Sequence, residues 1–443
     1  MNLPVPKIIN IKRIIAPALI LFYFTVDAQI NCENDTSFLV PIVDLQTGFY
    51  MGFQGGLYPG GLNDIPTAHL DSGIIQALSI IPINFDGEVD TMVGKVVMVG
   101  LGSGSAQKSF NKFISQYEDA GYTDSCVRIV NACISEQGIE QMIDEDADDF
   151  YWKDVNDFLQ EEDLKKKQVA VVWVMNASFI DSVETMPAYV DSLKLKYIAL
   201  IRKLKDQFPN VKLIYISGLQ YGGYLAPDAD HTNAYAEPAP YYNDFAIKAV
   251  IEAQINGDTL LNYSDDDAGA AWTCWGPNFW ADGRNLRTYD NLRWICPGDF
   301  DTGGDGFFLS GTGQQKIADR LFDFFNTQPT TIPWFYGLPY ECFTEIESED
   351  PDDSIFIPED EIIWITQNPV RGIIKFVINL ETESKADVYV FNSLGQQIVK
   401  GAFYKIESGK TFSIKMATNL HGVYILSISI DGKVYNKPFY LDP

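Results

Sequence analysis

The strongest constraint on the fold is an alternation that runs through the first three-quarters of the chain. Short apolar runs rich in β-branched residues occupy 95–101, 126–133, 168–175 and 211–218. Segments 107–120, 189–207, 245–256 and 313–325 carry apolar residues at helical spacing. A strand that is apolar on both faces needs cover on both faces, and helices between successive strands supply it. The pattern predicts a doubly wound α/β domain built on a parallel sheet. Ligands of such sheets sit beyond the carboxyl ends of the strands, where the strand order reverses. The turns of interest are then 102–106, 131–137, 176–178 and 219–224.

The two ends of the chain follow other rules. From residue 364 the period shortens to two, with turn residues at Asn392-Ser393-Leu394-Gly395 and Asp431-Gly432. Strands are expected over 385–391, 411–416, 423–430 and 433–441, forming a small all-β sandwich. An acidic linker over 343–363 precedes it; residues 343–361 hold nine acids and no base, so the linker extends by self-repulsion. At the other end, Lys7, Lys12 and Arg13 precede an apolar run over 14–24 and the small-residue site Val26-Asp27-Ala28. This is the layout of a signal peptide over 1–28, too short to span a bilayer. No later stretch is apolar enough to span, so no transmembrane segment is expected in the mature chain. The α/β body falls over 29–342 and the sandwich over 364–443.

The formal charge of −28 disfavours nucleic acid and anionic lipid as partners. Six cysteines in an exported chain permit three disulfides in fifteen pairings. Cys32 with Cys342 would tie the ends of the first domain, and Cys274 with Cys296 would close an aromatic loop. Export and the even count also favour a disulfide for Cys133, with free buried thiols as the alternative. The acidic stretches 144–149 and 265–267 lack the spacing of a calcium loop. With no P-loop, dinucleotide fingerprint or zinc-spaced set, neither a metal nor a cofactor is expected.

Two resemblances add to this. The blocks Asn368-Pro369, Val388 through Gln396 and Asn419-Leu420-His421-Gly422-Val423-Tyr424, ahead of a terminal strand, resemble the type A sorting domain of the type IX secretion system of Bacteroidetes. That implies the secretion machinery as a partner. It also implies a location outside the cell or on the outer-membrane surface of a Gram-negative bacterium. Residues 42–326 are similar to SGNH (GDSL-like) hydrolases. The likeness rests on Asp44-Leu45-Gln46-Thr47-Gly48, Gly52 through Pro59, the turn at 102–110 and Tyr151-Trp152. It continues through Trp173 to Asn176, Phe208 to Leu213, Trp275-Gly276-Pro277, Trp280 to Gly283 and Asp305-Gly306. It implies a flavodoxin-like sheet and a Ser-His-Asp ester hydrolase.

The residues depart from that chemistry at two positions. Where the family has Asp-Gly-Thr-His-Pro-Ser, this chain reads Asp305-Gly306-Phe307-Phe308-Leu309-Ser310. The Asp is present and Phe308 replaces the His. In Gly102-Ser103-Gly104-Ser105-Ala106 the nucleophile position aligns with Gly104. A Ser hydroxyl is a poor nucleophile without its base, and losing the triad His costs roughly a million-fold in turnover. The expectation is a catalytically degenerate protein that binds a carbohydrate or an acylated glycan. The alternatives are an active esterase that uses Ser105 or Ser103, and a structural surface protein. If catalysis survives, Ser103 and Ser105 are the candidate nucleophiles, Asn176 the candidate oxyanion donor and Asp305 the candidate acid. If they are not catalytic, the two serines are expected to bond amides at the helix start, and Asp305 to hold its loop or cap the following helix. His69, Trp275 and Trp280 are the candidate binding residues, with packing onto the core as the competing role.

Overall fold

The computed structural model describes residues 30–91, 93–120, 126–179, 185–226, 233–264, 268–301, 305–335, 361–371, 373–380, 386–392, 397–403, 410–415 and 422–442. The expected signal peptide, Cys342, most of the acidic linker and Asn419-Leu420-His421 lie outside them.

Five parallel strands form the central sheet. They are β1 (Val96–Gly102), β2 (Val127–Asn131), β3 (Val169–Met175), β4 (Leu213–Ile216) and β5 (Trp272–Trp275). Their order is β2-β1-β3-β4-β5. Every residue of β1, β3, β4 and β5 is buried, as strands covered on both faces require. β2, at one edge, alternates between buried and half-buried. The fifth strand is one the sequence pattern does not reveal. Trp272-Thr273-Cys274-Trp275 reads as part of an aromatic loop, because four residues flanked by Gly and Pro carry too little periodicity.

The covering helices are α1 (Thr67–Leu78), α2 (Gly104–Asp119), α3 (Tyr151–Glu161), α4 (Met186–Gln207), α5 (Ala239–Ile255) and α6 (Gly311–Thr327). α2 packs against α6, and α4 against α5. α5 begins six residues earlier than its apolar spacing suggests, with proline in its first turn, where a missing N–H costs nothing. Because β1 is followed by β2 on one side and β3 on the other, the order reverses between β1 and β3. The crevice there opens at Gly102–Gly104 and Met175–Ser178, the region the sequence singled out.

The C-terminal segment carries two antiparallel sheets, as expected. One contains β6 (Ile363–Ile365), β7 (Ile373–Ile378) and β10 (Thr411–Lys415). The other contains β8 (Ala386–Asn392), β9 (Gln397–Phe403), β11 (Gly422–Ile430) and β12 (Lys433–Leu441). Phe376 from the first and Val388, Leu426 and Phe439 from the second share one buried core, which makes the pair a sandwich.

The cysteine expectations need correction. Cys32 bonds to Cys296, tying the N-terminal segment to the loop after β5. Cys274 is free because it sits inside β5, with its Sγ turned to the Trp275 carbonyl at 3.2 Å. Cys133 is also a free, buried thiol, and Cys126 is disulfide-bonded. Spacing along the chain does not report which sulfurs the sheet encloses.

Candidate functional site

The turn after β1 sets the geometry of the crevice. Gly102 is obligatory there, since a Cβ would stand 2.3 Å from the Met175 carbonyl oxygen. Ser103 is extended, and α2 starts at Gly104. A Cβ built on Gly104 meets the Phe308 ring at 3.1 Å and Ser135 Oγ at 3.6 Å. Gly104 and Phe308 therefore face each other across the crevice, with the aromatic ring against the glycine.

The candidate serines are both buried and both engaged. Ser103 Oγ lies 3.2 Å from the Tyr235 hydroxyl and accepts from the Glu136 amide at 3.2 Å. Ser105 Oγ accepts from Gln220 Nε2 at 3.0 Å. Neither side chain caps α2, contrary to the expectation that both bond amides at the helix start. Gln220 Nε2 also donates to the Phe307 carbonyl at 3.1 Å, while its Oε1 is buried without a partner. Among the described residues, Tyr235 is the titratable group hydrogen-bonded to either hydroxyl. Burial, opposed by the Ser103 contact, pushes its pKa up to about 12, so the phenol stays protonated and cannot act as a base near neutral pH.

The other two candidates are braces. Asn176 Oδ1 accepts from the Ala177 amide, and its Nδ2 donates to the Gln137 carbonyl at 3.1 Å. Asn176 is 1% exposed, so its amide has no line to a substrate oxyanion. Asp305 Oδ1 accepts from the amides of Phe307 at 2.8 Å and Phe308 at 3.3 Å, holding the loop that carries the aromatic pair. Ser310, not Asp305, caps α6, its Oγ accepting from the Gly313 amide.

Sequence reasoning missed most of the wall. Phe307 stacks on Tyr235 with centroids 4.0 Å apart, and Phe179 meets Tyr235 edge-on at 5.3 Å. Gln220 lies in a turn that the strand pattern had marked; Tyr235 carried no local signal. A second polar cluster, also unanticipated, follows β3. Ser178 Oγ donates to Glu140, and Lys196 Nζ donates to Ser178 at 2.9 Å and to Glu140 at 2.5 Å. Burial raises the Glu140 pKa, but Lys196, Ser178 and the Phe179 amide outweigh it and hold it below the ordinary carboxylate range. Such a carboxylate is a weaker base than usual and does not activate Ser178.

The candidate binding residues turn inward. His69 stacks on Trp272 at 4.8 Å with Nε2 3.0 Å from the Thr273 carbonyl oxygen, and burial lowers its pKa. Trp280 is fully buried, its Nε1 donating to Glu237 at 2.8 Å. Trp275 Nε1 donates to the Leu57 carbonyl at 2.7 Å, yet its ring lines a cavity of about 570 Å³ beside β5. Among the described residues no group of three metal-ligating side chains occurs, and no helix is long and apolar enough to cross a membrane.

Two enclosed carboxylates, half-buried Glu237 and buried Asp244, sit beyond β4. Burial pushes Glu237 up to about 7, against donors from Gly222, Trp280 and Tyr241. Burial likewise pushes Asp244 up to about 8, although Asn278 donates to its Oδ2 at 2.7 Å.

No family model matches the chain, and no curated protein does. Solved structures give weak likenesses. A gut microbial diltiazem-metabolizing enzyme aligns at 11% identity and a TM-score of 0.30, over 74% of this chain and 72% of that one. A Cellulomonas fimi endo-beta-1,4-mannanase double mutant aligns at 8% identity and a TM-score of 0.19, over 91% of this chain and all of that one. CopC from Methylosinus trichosporium aligns at 15% identity and a TM-score of 0.14, over 16% of this chain and 76% of that one. These values are too low to carry an argument about fold or activity.

Proposed function

We propose that this is an exported SGNH-hydrolase-like protein that has lost ester hydrolysis and acts by binding a carbohydrate or an acylated glycan. The observation that carries the loss is the Gly104–Phe308 contact: with no hydroxyl on one side and no proton acceptor on the other, acyl transfer has neither its nucleophile nor its base. Ser103 and Ser105 do not replace them, because Ser103 Oγ meets Tyr235 and the Glu136 amide, Ser105 Oγ accepts from Gln220, and among the described residues no titratable base near neutral pH meets either. Export through the type IX system, with the C-terminal sandwich as the sorting domain, is part of the same reading. It is supported by the sequence blocks and by the antiparallel sandwich over 363–441.

The test is turnover of p-nitrophenyl acetate by the purified chain, beside binding to a glycan array. Absence of turnover with saturable binding to glycans supports the reading. Turnover that disappears in a Ser103→Ala/Ser105→Ala double variant sinks it.

A further inference from the structure

The cavity beside β5 shares no lining residue with the crevice after β1, and its size suits a small ligand of one or two sugar rings, about 300–1,000 Å³ being usual for ligand pockets. Its floor is apolar, formed by Ile65, Leu70, Trp275 and Phe324. Its rim carries Asp64 from the N-terminal segment, Asp323 from α6, and Tyr289, which is 52% exposed.

The wall behind the rim is rigid. Arg287 is 2% exposed, and all five of its donors are used. Nε and Nη2 fork onto Asp290 at 2.7 and 2.6 Å, Nη1 reaches Asn278 Oδ1 and the Trp280 carbonyl, and Nη2 also reaches the Asn278 carbonyl. Arg320 also pairs with Asp290. Both guanidiniums pair with Asp290; Asp323 feels Arg320 only as a charge, without a salt bridge between them. Three carboxylates against two guanidiniums leave the lining one negative charge in excess, on a chain of net charge −28. Such a pocket disfavours anions and attracts a cation. An apolar floor under a carboxylate rim suits a ring with a C–H face below and hydrogen-bond donors at its edge.

From this we infer that the groove binds an amino sugar through a protonated amine, with Asp64 and Asp323 accepting from the ammonium and hydroxyl groups and the floor packing against the ring. The inference rests on the carbohydrate-binding reading and places the ligand beside β5, away from the old catalytic crevice.

The experiment is calorimetry on the full chain with four probes: the β-1,4 dimer of glucosamine below its amine pKa, its N-acetylated counterpart, glucuronate, and cyclohexylamine. The expected order is glucosamine dimer first, acetylated dimer weaker, and no binding of glucuronate. Asp64→Asn and Asp323→Asn should each weaken the glucosamine dimer roughly two- to five-fold, and added salt should erode the difference. Both carboxylates are exposed, and a melting curve confirms that each variant folds. Equal binding of the two dimers, unmoved by either substitution, would overturn the groove assignment and leave the carbohydrate reading standing. Cyclohexylamine binding with no sugar bound would overturn both, as would silence of all four probes.

Discussion

Placing a serine at 104 and a histidine at 308 tests the proposed reading. In Gly104→Ser the new Cβ stands 3.1 Å from Phe308 Cε1, so the ring must give by a few tenths of an ångström. Phe308 is only half-buried and has room to yield. A helix-start glycine replaced by serine also gains some backbone entropy, about 0.5 kcal/mol. The single variant should therefore fold within about 1 kcal/mol of the parent. Phe308→His loses part of the packing against Tyr235 and Phe307, worth about 1–2 kcal/mol. Neither single change completes a nucleophile–base pair. The double variant does, with Asp305 already bonded to the amide of residue 308. A positioned general base is worth about 10²–10⁴ in rate. Turnover of p-nitrophenyl acetate by Gly104→Ser/Phe308→His should exceed both singles by at least about 100-fold, a coupling of roughly 2.7 kcal/mol. Turnover by the parent, turnover by Gly104→Ser alone, or a double variant no faster than Phe308→His would each refute the reasoning.

Three further outcomes follow from the packing. Ser105→Ala leaves Gln220 Nε2 with only the Phe307 carbonyl, so it should lower stability by about 1 kcal/mol in urea melts with no change in ester turnover. Arg287→Lys replaces a five-donor fork in a buried site with one ammonium, so Asn278 acceptors lose donors and Asp290 keeps only Arg320 and the Leu292 amide. It should cost about 2–4 kcal/mol, where a cost near zero would show that the network is not rigid. Glu237 and Asp244 titrate near 7 and 8 in the fold, against 4.5 and 3.8 as their ordinary values, so the folded state holds protons that the unfolded state has released. Their contribution to stability is therefore fully present only below about pH 4 and is lost as the pH rises through about 7 to 8. The melting temperature should climb on acidification from 8 to about 5, and Asp244→Asn should flatten that slope; a parent curve that is flat over this window contradicts the assignment.

The α/β class, the parallel sheet, the crevice turns and the terminal sandwich were legible in the chain, because a doubly covered strand must be apolar throughout and a half-exposed one must alternate. That neither Gly104 nor Phe308 can attack or accept a proton was legible too, since residue type fixes it. Their contact was not, for it joins the turn after β1 to a loop some 200 residues later. Nor was the fate of the polar candidates. Ser103, Ser105 and Asn176 look available as letters, and only the fold supplies Tyr235, Gln220 and Gln137 as partners. Likewise, tryptophan composition suggests a stacking surface. Whether a ring faces solvent, lines a groove as Trp275 does or disappears inside as Trp280 does depends on which side of β5 and its loop the core lies. Local pattern is set by what each residue needs buried; availability is set by what the rest of the chain brings to it.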